Sequence, residues 1–256
     1  MAFFIIAISK NDHTMFNIFK STAKKLEEAI MKLETELKNN DMRFLVDVMS
    51  SDDIYSPLLE KKRRTETSNT DGVSWYAHRR AEVLHTDHEK TQLLNLLAEP
   101  SNSSKRESIF FSLAHLCKNR TDNELFNFLM MHLQNEKDPI CKRSILIGIE
   151  EMDKTNDTLN IEPIKQLSKK RSVDLKVNAI LALKKTNDGE VEPLLLELFT
   201  ATKDSNIKNM ICSPLETVGT EACIPILEAA YKKTRDYALR DGIERVFHAI
   251  KNKSAI

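Results

Sequence analysis

Leu175-Lys176-Val177-Asn178-Ala179-Ile180-Leu181-Ala182-Leu183 is the stretch that decides the fold, because its pattern occurs five times in the chain. In each copy a Lys or Arg is followed three residues later by Ile or Ala, and seven residues later by Leu, Ile or Phe. Successive basic residues are 36, 34, 32 and 32 positions apart, and they are Arg106, Lys142, Lys176, Lys208 and Arg240. A repeat of this length is typical of stacked helical hairpins.

The spacing within each copy indicates a helix with one buried stripe. We number each copy from the residue before its Lys or Arg, which is position 0. Positions 0, 4, 7, 8 and 11 then fall within about 100° of one another on an α-helix. No single hairpin can bury that stripe, so neighbouring hairpins must stack.

A second helix is expected before each copy, separated from it by a short polar turn. Pro163, Pro193 and Pro225 lie near the starts of three of these first helices, where a proline is tolerated. The first helices are predicted at residues 88–98, 122–134, 160–169, 190–201 and 220–232. The predicted fold is all-α, a right-handed α-solenoid of antiparallel helix pairs, with five repeats over residues 87–256.

The residues before the repeats are predicted to form a helical cap. Residues 1–64 form an N-terminal helical region, in which Asp41 can cap a short helix over Met42–Met49. Residues 65–72 are polar, lack a hydrophobic anchor and are expected to be a flexible loop. Residues 73–86 can form a degenerate repeat helix. The basic run at 61–64 is interpreted as a solubilising segment, with a phosphate contact or targeting patch as the alternative.

The composition disfavours several classes of function. Lys plus Arg and Asp plus Glu both number 38, so a general nucleic-acid binder is not expected. The four cysteines lack the close spacing of a zinc site and are expected to be reduced, buried thiols of a cytoplasmic protein. The apolar run at residues 1–8 is too short to cross a bilayer, so no membrane association is expected.

The repeats can now be compared with a known family. Asp204-Ser-Asn-Ile207-Lys208, followed by Ile211 and Leu215, resembles the second helix of a HEAT repeat. That helix typically begins Asp-x-x-Val-Arg-x-x-Ala-x-x-Ala-Leu, and Asp236 begins a similar copy. Residues 87–250 resemble the short variety of this repeat, although the first copy lacks the Asp. The resemblance implies an α-solenoid and leaves the activity open, because the family includes scaffolds, receptors and a few enzymes.

The basic residues of the repeats suggest two roles. Asp138, Asp204 and Asp236 each lie four residues before their Lys or Arg, where they can cap the second helix and form an ion pair. We therefore predict a structural ladder rather than an anion-binding stripe. Its members are Asp138, Lys142, Lys176, Asp204, Lys208, Asp236 and Arg240.

The candidate binding site lies opposite the buried stripe, on the concave face of the array. Positions 2, 6 and 9 point there, and position 6 is apolar in three successive copies. The predicted partner-binding residues are Phe111, Arg143, Ile147, Glu150, Val177, Leu181, Lys184, Arg245 and His248. The alternative is that tight curvature or the N-terminal helices bury this apolar strip.

No sequence motif for catalysis, a metal or a cofactor is found. His85 and His88 could form a metal pair but lack a third ligand at a fixed spacing, so solvated histidines are the preferred interpretation.

We therefore expect a non-enzymatic scaffold or adaptor whose partner is another protein or peptide helix. The alternative is a HEAT-like DNA-binding protein or DNA glycosylase, since those enzymes use aromatic residues on a positively charged face. Trp75 is the single tryptophan and lies outside the clear repeats. A lyase that handles a chromophore is a third possibility, with no direct support in the residues.

Overall fold

The described part of the chain is helical and divides between two compact units. The computed structural model describes residues 24, 27, 28, 30–39, 41–51 and 73–253. The first unit is Met1–Ala81 and the second is Glu82–Ile256. The predicted loop at 65–72 and the basic run at 61–64 lie outside the described residues.

The described residues of the first unit are mostly helical. Residues 30–39 are helical, α1 spans Met42–Met49, and α2 spans Val73–Ala81. The cap predicted for α1 is present, because the Asp41 carboxylate accepts a hydrogen bond from the backbone N–H of Phe44 at 3.0 Å. The Ser74 hydroxyl donates to the Met49 carbonyl at 2.8 Å and so joins α2 to the end of α1. That α2 is a degenerate repeat stays a prediction.

Residues 87–253 of the second unit form five helical hairpins. Each hairpin has a first and a second helix joined by a short connection. Hairpin 1 contains α3 (Asp87–Ala98) and α4 (Arg106–Arg120), hairpin 2 α5 (Asn123–Asn135) and α6 (Pro139–Ile149), hairpin 3 α7 (Glu162–Ser168) and α8 (Val173–Leu181), hairpin 4 α9 (Val191–Ala201) and α10 (Ser205–Val218), and hairpin 5 α11 (Ile224–Lys233) and α12 (Tyr237–Lys253). Short 3-10 helices lie at Pro100–Lys105 and Glu221–Cys223. The first helices occur where the sequence predicts them, with shifts of a few residues at their ends.

Local sequence determines where these helices begin. Thr86 and Glu89 form a capping box at the start of α3, in which each side chain accepts a hydrogen bond from the other residue's backbone N–H. Asp122 caps α5 by accepting a backbone N–H of its first turn at 2.9 Å. Pro139 and Pro163 lie in the first turns of α6 and α7, where the missing N–H costs no helical hydrogen bond.

The core is a continuous stack of second helices. α4, α6, α8, α10 and α12 pack on one another in chain order, and the predicted stripe is shielded between them. Positions 4 and 7 are buried in every copy. The residues at these positions are Ile109, Ser112, Ile145, Gly148, Ala179, Ala182, Ile211, Pro214, Ile243 and Val246. Each hairpin therefore depends on its neighbours to remove its stripe from water.

Polar contacts between neighbouring hairpins join residues one repeat apart. The Lys90 ammonium donates to the Asp122 carboxylate at 2.6 Å. The backbone N–H of Lys185 donates to the Thr217 hydroxyl at 3.0 Å. The two residues of each pair are 32 positions apart. The period of the sequence is thus the step from one hairpin to the next.

A buried lysine closes the end of α6. Lys154 is 2% exposed, and its Nζ donates to the carbonyls of Ile149, Glu150 and Met152 at 3.0, 3.2 and 2.7 Å. Its backbone N–H donates to the Lys185 carbonyl of the next connection at 2.7 Å. The last carbonyls of a helix have no partner within the helix, and this amine supplies one. Burial lowers the pKa of Lys154 to about 7.

Pro214 lies inside α10, and its replacement by alanine is expected to stabilise the protein. Proline has no N–H to donate to the carbonyl four residues earlier and costs a helix interior about 3 kcal/mol relative to alanine. Pro214 is buried, so the smaller side chain loses about 1–2 kcal/mol of packing. We expect a net gain of ~1 kcal/mol and a rise in Tm of roughly 2–4 °C, measured by thermal unfolding. A lower Tm would show that the packing of the proline ring outweighs the helical term.

The described residues are all-α, and those of the second unit stack as a solenoid, as the sequence predicts. They contain no β-strand, and Lys154 and Thr186 form only an isolated bridge between two connections. The right-handed sense of the array and the N-terminal cap stay predictions. Among the helices that the structure describes, none combines the length and the apolar character needed to cross a membrane.

Candidate functional site on the second helices

Three apolar side chains at position 6 lie accessible on successive second helices. We call Phe111 on α4, Ile147 on α6 and Leu181 on α8 the apolar row. Ile147 is 39% exposed, and Phe111 and Leu181 are half-buried, as is Val177 one turn before Leu181. Position 6 points about 100° or more away from every position of the buried stripe, which explains why these side chains remain outside the core. The alternative in which the row is fully buried does not hold for the described residues.

The charged residues beside the apolar row are paired with one another. The Lys184 ammonium lies 2.5 Å from the Glu150 carboxylate and 2.7 Å from that of Glu151. The Lys185 ammonium lies 2.9 Å from Glu151. Hydrogen bonds from Lys184 and Lys185 lower the pKa of Glu151 to about 2. These ion pairs tie α6 to the end of α8 and border one side of the row.

The sequence contains a signal for this network that the predicted site does not use. The prediction places Glu150 and Lys184 in separate partner contacts, whereas the structure pairs them with each other and adds Glu151 and Lys185 to the same network. The acidic pair Glu150-Glu151 and the basic pair Lys184-Lys185 are 34 residues apart, which is one repeat. Glu150 and Lys184 both occupy position 9 of their copies, and the stacking of the two hairpins brings these opposite charges together as an ion pair.

Arg143 is half-buried at position 2 of α6, and the last two predicted contact residues lie farther along the array. Arg245 and His248 are exposed on α12, two hairpins beyond Leu181. Arg245 lies 2.9 Å from Glu216 of α10 and also pairs with Asp241 of its own helix. The predicted residues therefore form an apolar row on hairpins 1–3 and a charged patch on hairpin 5.

The aspartates of the predicted ladder cap the second helices. Asp138, Asp204 and Asp236 each accept a hydrogen bond from a backbone N–H two or three residues later, at 2.8, 2.8 and 3.1 Å. This arrangement compensates unpaired donors at each helix N-terminus and places a negative charge at the positive end of the helix dipole.

The basic residues of the ladder do not pair with these aspartates. Within residues 87–253 no ion pair joins any of the three to a Lys or Arg, so the expected pairing is corrected. The Lys208 ammonium instead lies 5.1 Å from the centre of the Phe199 ring, and the Arg240 guanidinium 4.7 Å from that of Tyr231. The carboxylates are directed at helix N-termini, while these basic side chains extend back over the first helix of their own hairpin.

The cysteines and histidines do not form a reactive centre in the described residues. Cys117, Cys141 and Cys212 are buried, and burial raises the pKa of each thiol to about 12. A protonated thiol is a poor nucleophile and a poor metal ligand. His85 bonds to a backbone carbonyl at 3.1 Å, and no cluster of three His, Cys, Asp or Glu in the described residues could hold a metal ion.

Comparison with known proteins identifies the repeats of hairpins 3 to 5. Residues 161–247 match the family model described as HEAT repeats. A search of curated proteins found no match to the chain. HEAT repeats generally serve as scaffolds for protein interactions and are typically non-enzymatic.

Proposed function

We propose that this chain, which carries HEAT repeats over residues 161–247, is a non-catalytic scaffold that binds another protein through the apolar row. One observation carries the proposal: Phe111, Ile147 and Leu181 remain accessible on three stacked helices while the neighbouring positions are buried. Contiguous apolar side chains on a soluble surface commonly mark a site for a protein partner.

The dimensions of the row suit a helical segment of the partner. Stacked helices lie 8–10 Å apart, so three position-6 side chains span about 20 Å. A helix of roughly 13 residues has this length at a rise of 1.5 Å per residue. Its apolar face would meet Phe111, Ile147 and Leu181, and its polar flank would meet the ion-paired Lys184 and Glu151.

The test is a comparison of three baits in a pull-down. The first is the unchanged protein, the second carries Ile147→Glu and Leu181→Glu, and the third carries Val83→Glu as a matched control. Val83 is an exposed valine, 60% accessible, that lies outside the row. We expect one specific protein to be retained by the first and third baits and to bind the second roughly tenfold or more weakly, because a buried unpaired carboxylate costs several kcal/mol.

Thermal unfolding of all three baits separates loss of binding from loss of fold. Val83 and Ile147 are exposed, so their changes are expected to alter the free energy of unfolding by less than about 0.5 kcal/mol. Leu181 is half-buried, and its change is expected to cost about 1–2 kcal/mol. If a folded Ile147→Glu/Leu181→Glu bait retains the same protein with unchanged affinity, the apolar row is not the binding site.

The single tryptophan does not support the DNA glycosylase alternative. That activity requires aromatic platforms within the repeats for an extruded base. Trp75 is on α2 in the first unit, where its ring contacts Tyr76 and lies beneath Arg79.

A further inference from the structure

Basic side chains collect at the turns within hairpins 3, 4 and 5. These turns connect the first helix to the second. The turn of hairpin 3 carries three cations and no acidic residue, those of hairpins 4 and 5 each carry one residue of each sign, and the last turn of α11 adds Lys232 and Lys233. We call the exposed cations of the three turns the basic turn edge: Lys169, Lys170, Arg171, Lys203, Lys232, Lys233 and Arg235. The zero net charge of the chain gives no indication of this cluster.

The packing of the second helices brings these turns to one side of the array. Ala114 of α4 faces Gly148 of α6, and Asn209 of α10 faces Gly242 of α12. In both pairs the facing residues lie at similar positions of the repeat, so neighbouring second helices run parallel and nearly in register. Their N-terminal ends, and the turns that precede them, therefore share an edge, with a step of 8–10 Å between hairpins.

The opposite edge carries acidic residues whose charges are compensated internally. Lys165 lies 3.0 Å from Asp188 and 2.7 Å from Glu190. Lys184 pairs with Glu150 in the same region.

Cations of the basic turn edge lack such partners. Among the described residues, Lys169, Lys170, Arg171, Lys203, Lys233 and Arg235 form no ion pair, and Lys232 has only a contact of 4.0 Å with Glu228. The zero net charge of the chain thus conceals an uncompensated positive edge.

We propose that the basic turn edge binds an extended acidic segment of a partner protein. A fully extended chain advances about 3.3 Å per residue, so an acidic residue at every third position matches the 8–10 Å step between turns. Val173 and Tyr237 lie beside the cations and are 58% and 85% exposed. They offer contacts to apolar side chains between the carboxylates. This surface is separate from the apolar row, so the two proposals can fail independently.

A protein segment fits this edge better than a nucleic acid. Each turn keeps an aspartate near its cations, namely Asp174, Asp204 and Asp236. A phosphate backbone carries a charge at every nucleotide and would meet these carboxylates repeatedly, whereas spaced carboxylates can avoid them. Tyr237 offers a base one ring and Val173 offers none, so successive bases would not be stacked along the edge.

Fluorescence anisotropy with a labelled peptide tests the proposal. The probe is a Glu-Ser-Val repeat of about 18 residues, and the comparison peptide has the same composition with its glutamates clustered at one end. We expect the spaced peptide to bind the full chain more tightly than the clustered one, and to weaken between about 50 and 200 mM salt. Arg171→Glu with Lys233→Glu should weaken binding roughly tenfold or more, since it reverses charge in two turns.

The control variant carries Lys38→Glu and Lys251→Glu, which change the net charge equally at exposed sites outside the turns. It should bind the spaced peptide like the unchanged protein. Equal weakening by both variants would overturn the assigned location. The absence of peptide binding, or tighter binding of single-stranded DNA or of phosphatidylserine vesicles, would overturn the assigned partner.

Discussion

Replacing Gly148 by valine is expected to lower the free energy of unfolding of the repeat unit by about 3 kcal/mol or more. A Cβ atom at Gly148 would lie 2.4 Å from the Cβ of Ala114 and 3.0 Å from backbone atoms of α4. Carbon atoms pack at 3.5–4.0 Å, so α4 and α6 would have to separate by about 1 Å or more. These two helices bury Ile109, Leu113 and Ile145 between the hairpins, and separation would loosen that contact.

A double-mutant cycle distinguishes this close approach from other effects of adding a side chain. Gly148→Ala gains about 1 kcal/mol in helix propensity, so any net loss reports the clash. Ala114→Gly removes the nearest atom, and the double variant should therefore be more stable than the sum of the single changes by about 1 kcal/mol. Gly189→Ala is the matched control, because no atom lies within 4 Å of the added methyl group. The free energy of unfolding of each variant is measured by urea unfolding. If the changes in the two single variants simply add up to the change in the double variant, the proposed contact is contradicted.

The helices and the buried stripe could be predicted because both depend on local, periodic signals. Caps such as Asp138 and Asp204 stand at fixed distances from the apolar positions, so the second-helix starts follow from the sequence alone. The accessibility of Ile147 could not be decided in this way. It depends on how sharply the array curves and on what packs across it, and neither is encoded in the spacing within a repeat.

The surface charge shows a different limit of sequence reasoning. Net charge counts Arg171 and Glu151 as cancelling, although they lie on opposite edges of the array. Only the parallel packing of the second helices separates the two edges, and only the side-chain contacts show that Glu151 is paired while Arg171 is not. The Glu150-Glu151 and Lys184-Lys185 pairs could have been found by comparing the repeats position by position.

Lys154 could not have been identified from its sequence neighbours. Exposed lysines such as Lys170 and Lys233 have similarly polar neighbours. Lys154 is buried because α6 ends at Ile149 and the chain then turns back over the helix terminus. Its burial is thus a consequence of the tertiary structure, and it has a measurable effect on stability.

Replacing Lys154 by methionine is expected to abolish a rise in stability between pH 7 and about 8.5. The pKa of Lys154 is about 7 in the folded chain and 10.5 for an ordinary lysine. In this window the folded chain has released the proton while the unfolded chain retains it, so the free energy of unfolding increases with pH. The contribution of the Lys154 amine to the free energy of unfolding is fully present above pH 10.5 and is lost as the pH falls through about 7. From pH 7 to 8.5 the unchanged protein should gain ~1.5 kcal/mol, measured by urea unfolding.

The upper limit of this window is set by the buried cysteines. Unfolded thiols ionise near pH 8.5, whereas burial raises the folded pKa of Cys117 and Cys212 to about 12. Above that pH the unfolded state loses protons that the folded state keeps, so stability falls and the slope reverses.

Methionine retains most of the buried stem of the lysine, which limits the packing change. Lys251→Met, at an exposed lysine, should preserve the rise. A rise that persists in Lys154→Met would assign the proton to another group, since the buried amine is then absent.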